Sequence, residues 1–261
     1  MVAGATDHAF DLDGDERGVL CLHGFTGTPF EVRHLGHMLH RRGMTVVGPA
    51  LPGHATNPAD LDRTTWRHWY DAVEDDFGRL RQRCDTVAVV GLSLGGLLAL
   101  HLAVGHHDEV SAISSLAAPL WLPQPAKTAV SLFRRFPTLT KLVPRIRKRG
   151  GSDIRDRRAR AATPSYSEIP TRALGQLVEF MEIVRDELAA VRTPLLVVHA
   201  VNDHTAPVAC GRYLRSHVSS STVRLRELKR SYHVVAIDVE RDIVAAEVGT
   251  FFEAHQDRKA V

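Results

Sequence analysis

The feature that most constrains this chain is a serine flanked by glycines, where an apolar run meets a helical pattern. The string G-L-S-L-G at residues 91–95 follows the apolar run 87–90 and precedes a helical pattern that continues from Gly96. A strand that turns sharply into a helix holds such a serine, here Ser93, in a strained backbone with its hydroxyl exposed. Glycines are needed on both sides because a Cβ there would crowd the turn or the neighbouring strand. The bare motif arises by chance in roughly one chain in ten of this length, so its weight comes from the strand and helix around it.

Size and composition are ordinary for one α/β domain. The 261 residues are 44% hydrophobic and 24% charged, as in soluble globular proteins. Cys21, Cys84 and Cys210 cannot form a fully paired disulfide framework, and we interpret them as buried free thiols. Residues 1–15 lack a basic segment followed by an apolar run, and no apolar stretch reaches the roughly 18 residues of a membrane span. We therefore expect a cytoplasmic protein.

Strand-like and helix-like patterns alternate along most of the chain. Runs that predict strands lie near 8–12 and at 18–22, 44–47, 86–90, 110–116, 195–199 and 223–228. Helical patterns lie at about 30–42, 66–83, 95–105, 173–190, 208–216 and 239–256. This alternation predicts an α/β fold, with a mainly parallel sheet flanked by helices on both faces.

One segment interrupts the alternation. Residues 120–170 contain several prolines and no strand pattern, and they begin just after a predicted strand ends. An insertion at the carboxyl end of a strand lies over the ligand side of an open α/β sheet. We therefore predict that 120–170 is a cap, or lid, over Ser93, and that 1–119 and 171–261 form the core. Residues 120–170 are called the cap segment below.

The cap segment carries most of the chain's positive charge. Twelve basic and two acidic residues lie between Lys127 and Arg160, a local charge of about +10 in a chain whose net charge is +3. Such a patch either is a solvated surface or meets anionic lipid, nucleic acid or an acidic substrate. No nucleic-acid-binding motif or interleaved aromatic pattern accompanies it. We expect no nucleic-acid partner and keep an anionic membrane surface as a hypothesis.

A serine hydroxyl needs a base beside it, and the base needs an acid that fixes its tautomer. On this topology the chain order is serine, acid, histidine, each after the carboxyl end of a strand. The predicted strand 195–199 is followed closely by Asp203, and the strand 223–228 by His233. The sequence therefore predicts Ser93, Asp203 and His233 as the catalytic residues.

Other histidines and one aspartate compete for these roles. His204 adjoins Asp203 but precedes the last strand, His199 lies within an apolar strand, and His101 is on the helix that leads away from Ser93. Asp238 lies just before the last helix, where an N-cap is the better interpretation. The loop after Leu116 has no carboxylate near its start, which removes the other usual position for the acid.

Acyl transfer also needs donors for the oxyanion. The residue after the nucleophile supplies one backbone N–H, here that of Leu94, and an early strand supplies the other. The strand 18–22 ends in H-G-F-T-G at 23–27, which makes the Phe25 N–H the second candidate. We interpret His23 as a side chain that fixes this loop by hydrogen bonding.

Further motifs extend the pattern over nearly the whole chain. They are L-P-G-H at 51–54, T-T-W-x-x-W at 64–69, G-L-S-L-G-G at 91–96, V-N-D at 201–203 and S-Y-H-V-V-A-I-D at 231–238. With H-G-F-T-G, in this order and spacing, the chain resembles the α/β-hydrolase carboxylesterases of the small bacterial type, which include thermostable Bacillus-type carboxylesterases and bacterial monoacylglycerol lipases. The resemblance is weakest in the basic part of the cap segment.

The resemblance implies an α/β-hydrolase fold and a serine esterase with a small lid and no cofactor. It carries the triad onto Ser93, Asp203 and His233 and the oxyanion hole onto Phe25 and Leu94. Departures from the family pattern are Ala55 in place of a glycine and Tyr232 in place of a frequent glycine before the histidine. His54 is interpreted as loop architecture, and Trp66 and Trp69 as packing residues. No metal site is expected.

Together these features predict a hydrolase of short- to medium-chain acyl esters, including monoacylglycerols, with a small-molecule ester as partner. Apolar cap residues are candidates to line the substrate pocket: Trp121, Leu122, Phe133 and Phe136. An acyl-thioesterase or acyltransferase with the same triad, and a non-catalytic ligand-binding protein of the same fold, remain open. The sequence leaves acyl-chain preference, the physiological substrate, cap motion and the choice between monomer and homodimer undecided.

Overall fold

The protein is described by a computed structural model covering residues 9–124, 126, 128, 135, 142–148 and 150–256. Its strands are β1 Phe10–Leu12, β2 Arg17–Leu22, β3 Thr45–Gly48, β4 Thr86–Leu92, β5 Val110–Leu116, β6 Arg145–Arg147, β7 Glu168–Pro170, β8 Leu195–Ala200 and β9 Val223–Leu228. Its helices are α1 Phe30–His40, α2 Pro58–Asp62, α3 Trp66–Arg81, α4 Leu94–Gly105, α5 Arg157–Ala162, α6 Thr171–Glu187, α7 Val208–His217 and α8 Arg241–Gln256. The 3₁₀ turn Leu188–Ala190 follows α6.

A seven-stranded sheet organises the chain, in the spatial order β1-β3-β2-β4-β5-β8-β9. Strand β1 pairs antiparallel with β3, and all the other neighbours pair in parallel. The parallel strands therefore end at one edge, which gathers the loops after β2, β4, β8 and β9. The predicted mainly parallel sheet flanked by helices is confirmed.

The sheet is buried on both faces because its inner strands are apolar at almost every position. Along β2, Leu20 and Leu22 belong to the core shared with α3, α4, α6 and α7. Val19 and Cys21 point the other way, into the core shared with α1 and α8. All four are fully buried, and each large side chain so buried contributes about 1.5–3 kcal/mol. Two cores thus fix the sheet between two helical layers.

The cap segment lies between β5 and α6 and includes β6, α5 and β7. The prediction that it contains no strand was wrong, because Arg145–Arg147 pairs antiparallel with Glu168–Pro170. Each of these strands has three residues, which is too short to show a period-two pattern. The boundaries of the cap and core remain a prediction.

Two further sequence expectations concern the cysteines and membrane spans. Cys21, Cys84 and Cys210 are all buried and free, as predicted. Burial raises the pKa of the Cys210 thiol to about 11, so this thiol stays protonated and unreactive at neutral pH. Among the residues described, no helix has the length and apolar character needed to cross a bilayer.

Candidate active site

Ser93 lies at the turn between β4 and α4 in a strained conformation, with φ 55° and ψ −113°. Its N–H donates to the Leu116 carbonyl of the neighbouring strand at 2.8 Å. A Cβ at Gly95 would lie 2.3 Å from the Leu22 carbonyl oxygen, and one at Gly91 would lie 1.9 Å from the Gly95 oxygen. The predicted need for both glycines is confirmed. Such backbone strain costs about 1–3 kcal/mol and persists only where the surroundings enforce it.

Three side chains form a hydrogen-bonded row at the carboxyl edge of the sheet. His233 Nε2 lies 3.0 Å from Ser93 Oγ, and its Nδ1 lies 2.8 Å from Asp203 Oδ2. Asp203 Oδ1 accepts from the N–H groups of Thr205 and Ala206, at 2.8 and 2.7 Å. A carboxylate at Nδ1 places the imidazole proton there, which leaves Nε2 free to accept from the serine. The structure thus brings the predicted serine, acid and histidine together.

Burial and neighbouring charges shift the pKa values of Asp203 and His233 in opposite directions. Burial would raise the pKa of Asp203, but the adjacent His233 and the hydrogen bonds to the carboxylate, including that from the Ala206 N–H, hold it below its usual range. Burial lowers the pKa of His233, but Asp203, aided by more distant carboxylates, raises it above the ordinary 6.5. Asp203 therefore stays ionised, and the imidazole takes up a proton readily.

The three histidines that competed for the role of catalytic base make other contacts. His199 Nε2 is 3.0 Å from the Ala206 carbonyl and 3.5 Å from Asp203 Oδ2. His204 contacts Asp153 of the cap segment, with Nδ1 and Oδ1 2.8 Å apart. His101 Nδ1 lies 2.6 Å from a carboxylate oxygen of Glu187. None of these contacts involves Ser93.

Asp238 was interpreted as an N-cap of the last helix, which was wrong, because α8 begins at Arg241 and the described donors to the Asp238 carboxylate all precede it. Its carboxylate accepts from the Tyr232 and Val239 N–H groups at 2.8 Å and from the Arg155 and Asp156 N–H groups at 2.9 Å. One buried carboxylate thus joins the loop that carries the histidine to the cap segment. No local sequence pattern indicates this role, because the Arg155 and Asp156 donors lie more than 80 residues away along the chain.

The loop 23–27, called the oxyanion loop below, is fixed as predicted through His23. His23 Nε2 accepts from the Leu51 N–H at 3.0 Å, so Nδ1 carries the proton and donates to the Gly24 carbonyl at 2.9 Å. Burial lowers the pKa of His23 to about 4, so the ring is neutral. Among the described residues, the backbone N–H groups of Phe25 and Leu94 have no hydrogen-bond acceptor.

Aromatic side chains pack around Phe25. The His54 ring contacts the rings of His23, Phe25 and Trp69 edge-on, which agrees with its interpretation as loop architecture. Trp69 is fully buried, its ring centroid lies 5.8 Å from that of Phe25, and its Nε1 donates to Thr64 Oγ1 at 2.9 Å. Ala55, where the family pattern has a glycine, adopts φ 55°.

A pocket of about 630 Å³ opens above Ser93 and His233, a size typical of small-molecule sites. Most of its apolar wall comes from the cap segment and α6, and includes Leu122, Ile146, Ile169, Leu174, Leu177 and Met181. Tyr232, the departure from the family's glycine, also lines it. In the part of the chain that the structure covers, no group of three or more histidine, cysteine or acidic residues is placed to hold a metal ion.

The candidate pocket residues have different positions. Leu122 lines the pocket, whereas Trp121 packs edge-on against Tyr213, with ring centroids 5.4 Å apart, and is not among the lining residues. Phe133 and Phe136 lie outside the described residues. Glu31 and Lys148 also line the pocket, although no local sequence pattern sets either of them apart.

The fold and the row of side chains define the class of protein. A parallel sheet with a strained serine after a central strand, and an acid and a histidine after later strands, is the arrangement of serine hydrolases with the α/β-hydrolase fold.

Comparisons with known proteins agree. Residues 15–240 match the family described as Hydrolase_4, serine aminopeptidase, S33. The thermostable monoacylglycerol lipase of Bacillus sp. (strain H-257) is 33% identical over 238 residues, 91% of each chain. The carboxylesterase of Bacillus subtilis (strain 168) is 27% identical and covers 95% of this chain and 97% of its own. The chain therefore belongs to this S33 family of α/β hydrolases.

Solved structures show the same fold. A chain from work on LipS and LipT, two metagenome-derived lipolytic enzymes, superposes with a TM-score of 0.88 at 27% identity, covering 96% of this chain and 98% of its own. The Paleococcus ferrophilus monoacylglycerol lipase superposes with a TM-score of 0.81 at 17% identity, covering 95% and 98%. The predicted α/β-hydrolase fold is confirmed.

Proposed function

We propose that this protein is a serine carboxylic ester hydrolase that acts on short- to medium-chain acyl esters, including monoacylglycerols. The observation that carries the proposal is the row Ser93–His233–Asp203 at the wall of a mostly apolar pocket of about 630 Å³. The names of the two Bacillus relatives, a monoacylglycerol lipase and a carboxylesterase, support ester substrates.

In the proposed reaction, Ser93 Oγ attacks the ester carbonyl while His233 Nε2 takes the hydroxyl proton. His233 then donates that proton to the leaving alcohol, and an acyl group remains on Ser93. Water repeats the sequence in the second half: His233 accepts its proton, the acid is released and Ser93 recovers its hydrogen. Asp203 holds the imidazole tautomer and stabilises the imidazolium throughout.

The backbone N–H groups of Phe25 and Leu94 are the proposed donors to the oxyanion. Leu94 is the first residue of α4, whose first N–H groups have no partner within the helix. Phe25 lies in the oxyanion loop, which hydrogen bonds from His23 and to Glu31 hold in shape. Fixed donors of this kind stabilise the tetrahedral intermediate by several kcal/mol in serine hydrolases.

The cap segment is proposed to close the pocket and select the acyl chain. Ile146 and Ile169, on the two short cap strands, face the same pocket as Ser93. This position supports the division into a core of 1–119 and 171–261 and a cap of 120–170.

The direct test is a chain-length series of p-nitrophenyl and glyceryl esters, assayed with the wild type and with Ser93→Ala. We expect the wild type to prefer short and medium chains, and Ser93→Ala to lose activity by about 10⁴-fold or more. Faster turnover of matched thioesters, or acyl transfer to an added alcohol, would instead support the thioesterase or acyltransferase alternatives. Ligand binding without turnover by the wild type would refute the enzymatic proposal.

We also propose that the cap segment docks on anionic membrane surfaces. Leu142 is 77% exposed and Val143 42% exposed, and the exposed Arg145 and Arg147 follow them in β6. Exposed apolar and basic side chains together favour the boundary of an anionic bilayer, where each Lys or Arg contributes about 1 kcal/mol.

The three free cysteines support the proposed cytoplasmic location, because thiols stay reduced there.

A further inference from the structure

Lys148 directly follows strand β6 of the cap segment, and its side chain reaches the oxyanion loop of the core. Its Nζ donates a hydrogen bond to Thr26 Oγ1. A second cap residue holds the same threonine, because the Tyr166 N–H donates to the Thr26 carbonyl at 3.0 Å. Thr26 is only 1% exposed. The cap segment therefore forms hydrogen bonds to both the side chain and the backbone of one buried residue of the loop.

The backbone of Thr26 needs such support. Its φ is 64°, in the left-handed region where a β-branched residue is a rare outlier. A residue keeps such a conformation only when its neighbours enforce it. Thr26 directly follows Phe25, the proposed oxyanion donor, so relaxation of Thr26 would redirect the peptide groups around that N–H.

The other end of the loop is held from the core. Glu31 accepts from the Gly24 N–H at 2.9 Å, and its carboxylate fills the space beside Gly27, where a Cβ would lie 2.3 Å from it. Glu31 and Lys148 also act on each other electrostatically: burial lowers the pKa of Lys148, and the nearby Glu31 opposes that change. The oxyanion loop is thus clamped by an acid from α1 and a base from the cap.

The described hydrogen bond of the Lys148 ammonium group is made to the loop itself. An ammonium group has three N–H donors, and Thr26 is the one described acceptor of Lys148.

We propose that Lys148 is a positioning residue for acyl transfer, which through its hydrogen bond to Thr26 holds the oxyanion loop in the shape that aims the Phe25 N–H into the pocket. This inference rests on the proposed ester hydrolysis. It makes the cap segment part of the oxyanion machinery as well as a wall of the pocket.

The test compares Lys148→Met with wild type in kcat, KM and the affinity for an alkylboronic acid, which mimics the tetrahedral intermediate on serine. We expect kcat to fall about 10- to 100-fold, less than the loss of a direct oxyanion donor. We expect KM to change less than about threefold and boronate affinity to fall in parallel with kcat, since the lost interaction is made in the transition state. The matched control is Lys229→Met, at an exposed lysine outside the pocket lining.

A second pair of variants separates the hydrogen bond from folding. Thr26→Ala removes the acceptor and should lose kcat as Lys148→Met does, whereas Thr26→Ser keeps the hydroxyl and should have at least fivefold higher kcat than Thr26→Ala. This pair decides the question if Lys148→Met does not fold.

Several results would overturn the inference. They are an unchanged kcat and boronate affinity in Lys148→Met, a rise in KM alone, or equal kcat in Thr26→Ala and Thr26→Ser. Each of them presupposes an active wild type. Absence of ester turnover by the wild type would instead refute the proposed function, so the two failures are distinguishable.

Discussion

Asp238→Asn is the change whose consequence can be worked out furthest from the structure. Asp238 is 1% exposed, and each of its carboxylate oxygens accepts from two backbone N–H groups. Asparagine keeps one oxygen and replaces the other by an NH₂ group, which cannot accept. Two part-buried N–H groups therefore lose their acceptor and face a donor instead.

The magnitude follows from those two lost bonds. A buried hydrogen bond to a charged group contributes about 1.5–3 kcal/mol, and leaving the donor unsatisfied adds its desolvation cost. Some relaxation of the loop reduces the sum, and we expect a loss of about 3–5 kcal/mol in the free energy of unfolding. For a chain of this size each 1 kcal/mol lowers Tm by about 2–4 °C, so Tm should fall by roughly 6–20 °C.

The assay is equilibrium denaturation in urea, with Tm from calorimetry and kcat measured in parallel. The Tyr232 N–H adjoins His233, so kcat should fall as well, even at temperatures where the variant is folded. Asp242→Asn is the matched control: its side chain is 74% exposed and, among the described residues, pairs only with His34 at the surface, so its effect should stay below about 1 kcal/mol. A loss below about 1 kcal/mol in Asp238→Asn would refute the reasoning that this carboxylate joins the cap segment to the histidine loop.

Three further predictions concern charge, packing and surface. Because Asp203 raises the pKa of His233 above 6.5, kcat/KM should fall as pH drops through a value above 6.5, where the protonated imidazole no longer accepts the serine proton. Asp203→Asn should lower that inflection and reduce kcat by about 10⁴-fold; an unmoved inflection would contradict the assignment. Gly95→Ala should destabilise the fold by about 1–3 kcal/mol or more in urea denaturation, since its Cβ would meet the Leu22 oxygen. Gly78→Ala, at an exposed position in α3 with open space around it, should instead add about 0.5–1 kcal/mol, and equal effects would contradict the packing argument. Sedimentation with anionic vesicles should weaken as salt rises and should weaken further in the double variant Arg145→Glu and Arg147→Glu; equal binding to neutral vesicles would refute the docking proposal.

Much of the core could be predicted because its signals are local and repeated. Strands β5 and β9 were predicted at their observed bounds, and helices α1 and α3 within two residues. The alternation of strands and helices also predicted that Ser93, Asp203 and His233 would meet, because each follows a strand and the carboxyl ends of parallel strands share one edge of the sheet. Here local pattern and tertiary topology point to one answer.

The cap segment and the pocket wall could not be predicted in the same way. Leu174, Leu177 and Met181 repeat at helical spacing on α6, which a sequence pattern cannot distinguish from ordinary core packing. Lys148 is one basic residue among many, and its half-buried position depends on its contact with Thr26, 122 residues away. Trp121 was a candidate for the pocket by its apolar character, but it packs against Tyr213 instead.

The most direct test of the central claim is labelling with an alkyl fluorophosphonate followed by peptide mass spectrometry. The oxygen of an activated serine attacks the phosphorus, fluoride leaves to solvent, and the phosphonyl group stays bonded to the serine oxygen. We predict one adduct per chain, on the peptide that contains Ser93, with loss of ester hydrolysis in proportion to labelling and much slower labelling in His233→Ala. An unlabelled Ser93, or ester hydrolysis that persists after Ser93 is fully modified, would contradict its role as the nucleophile.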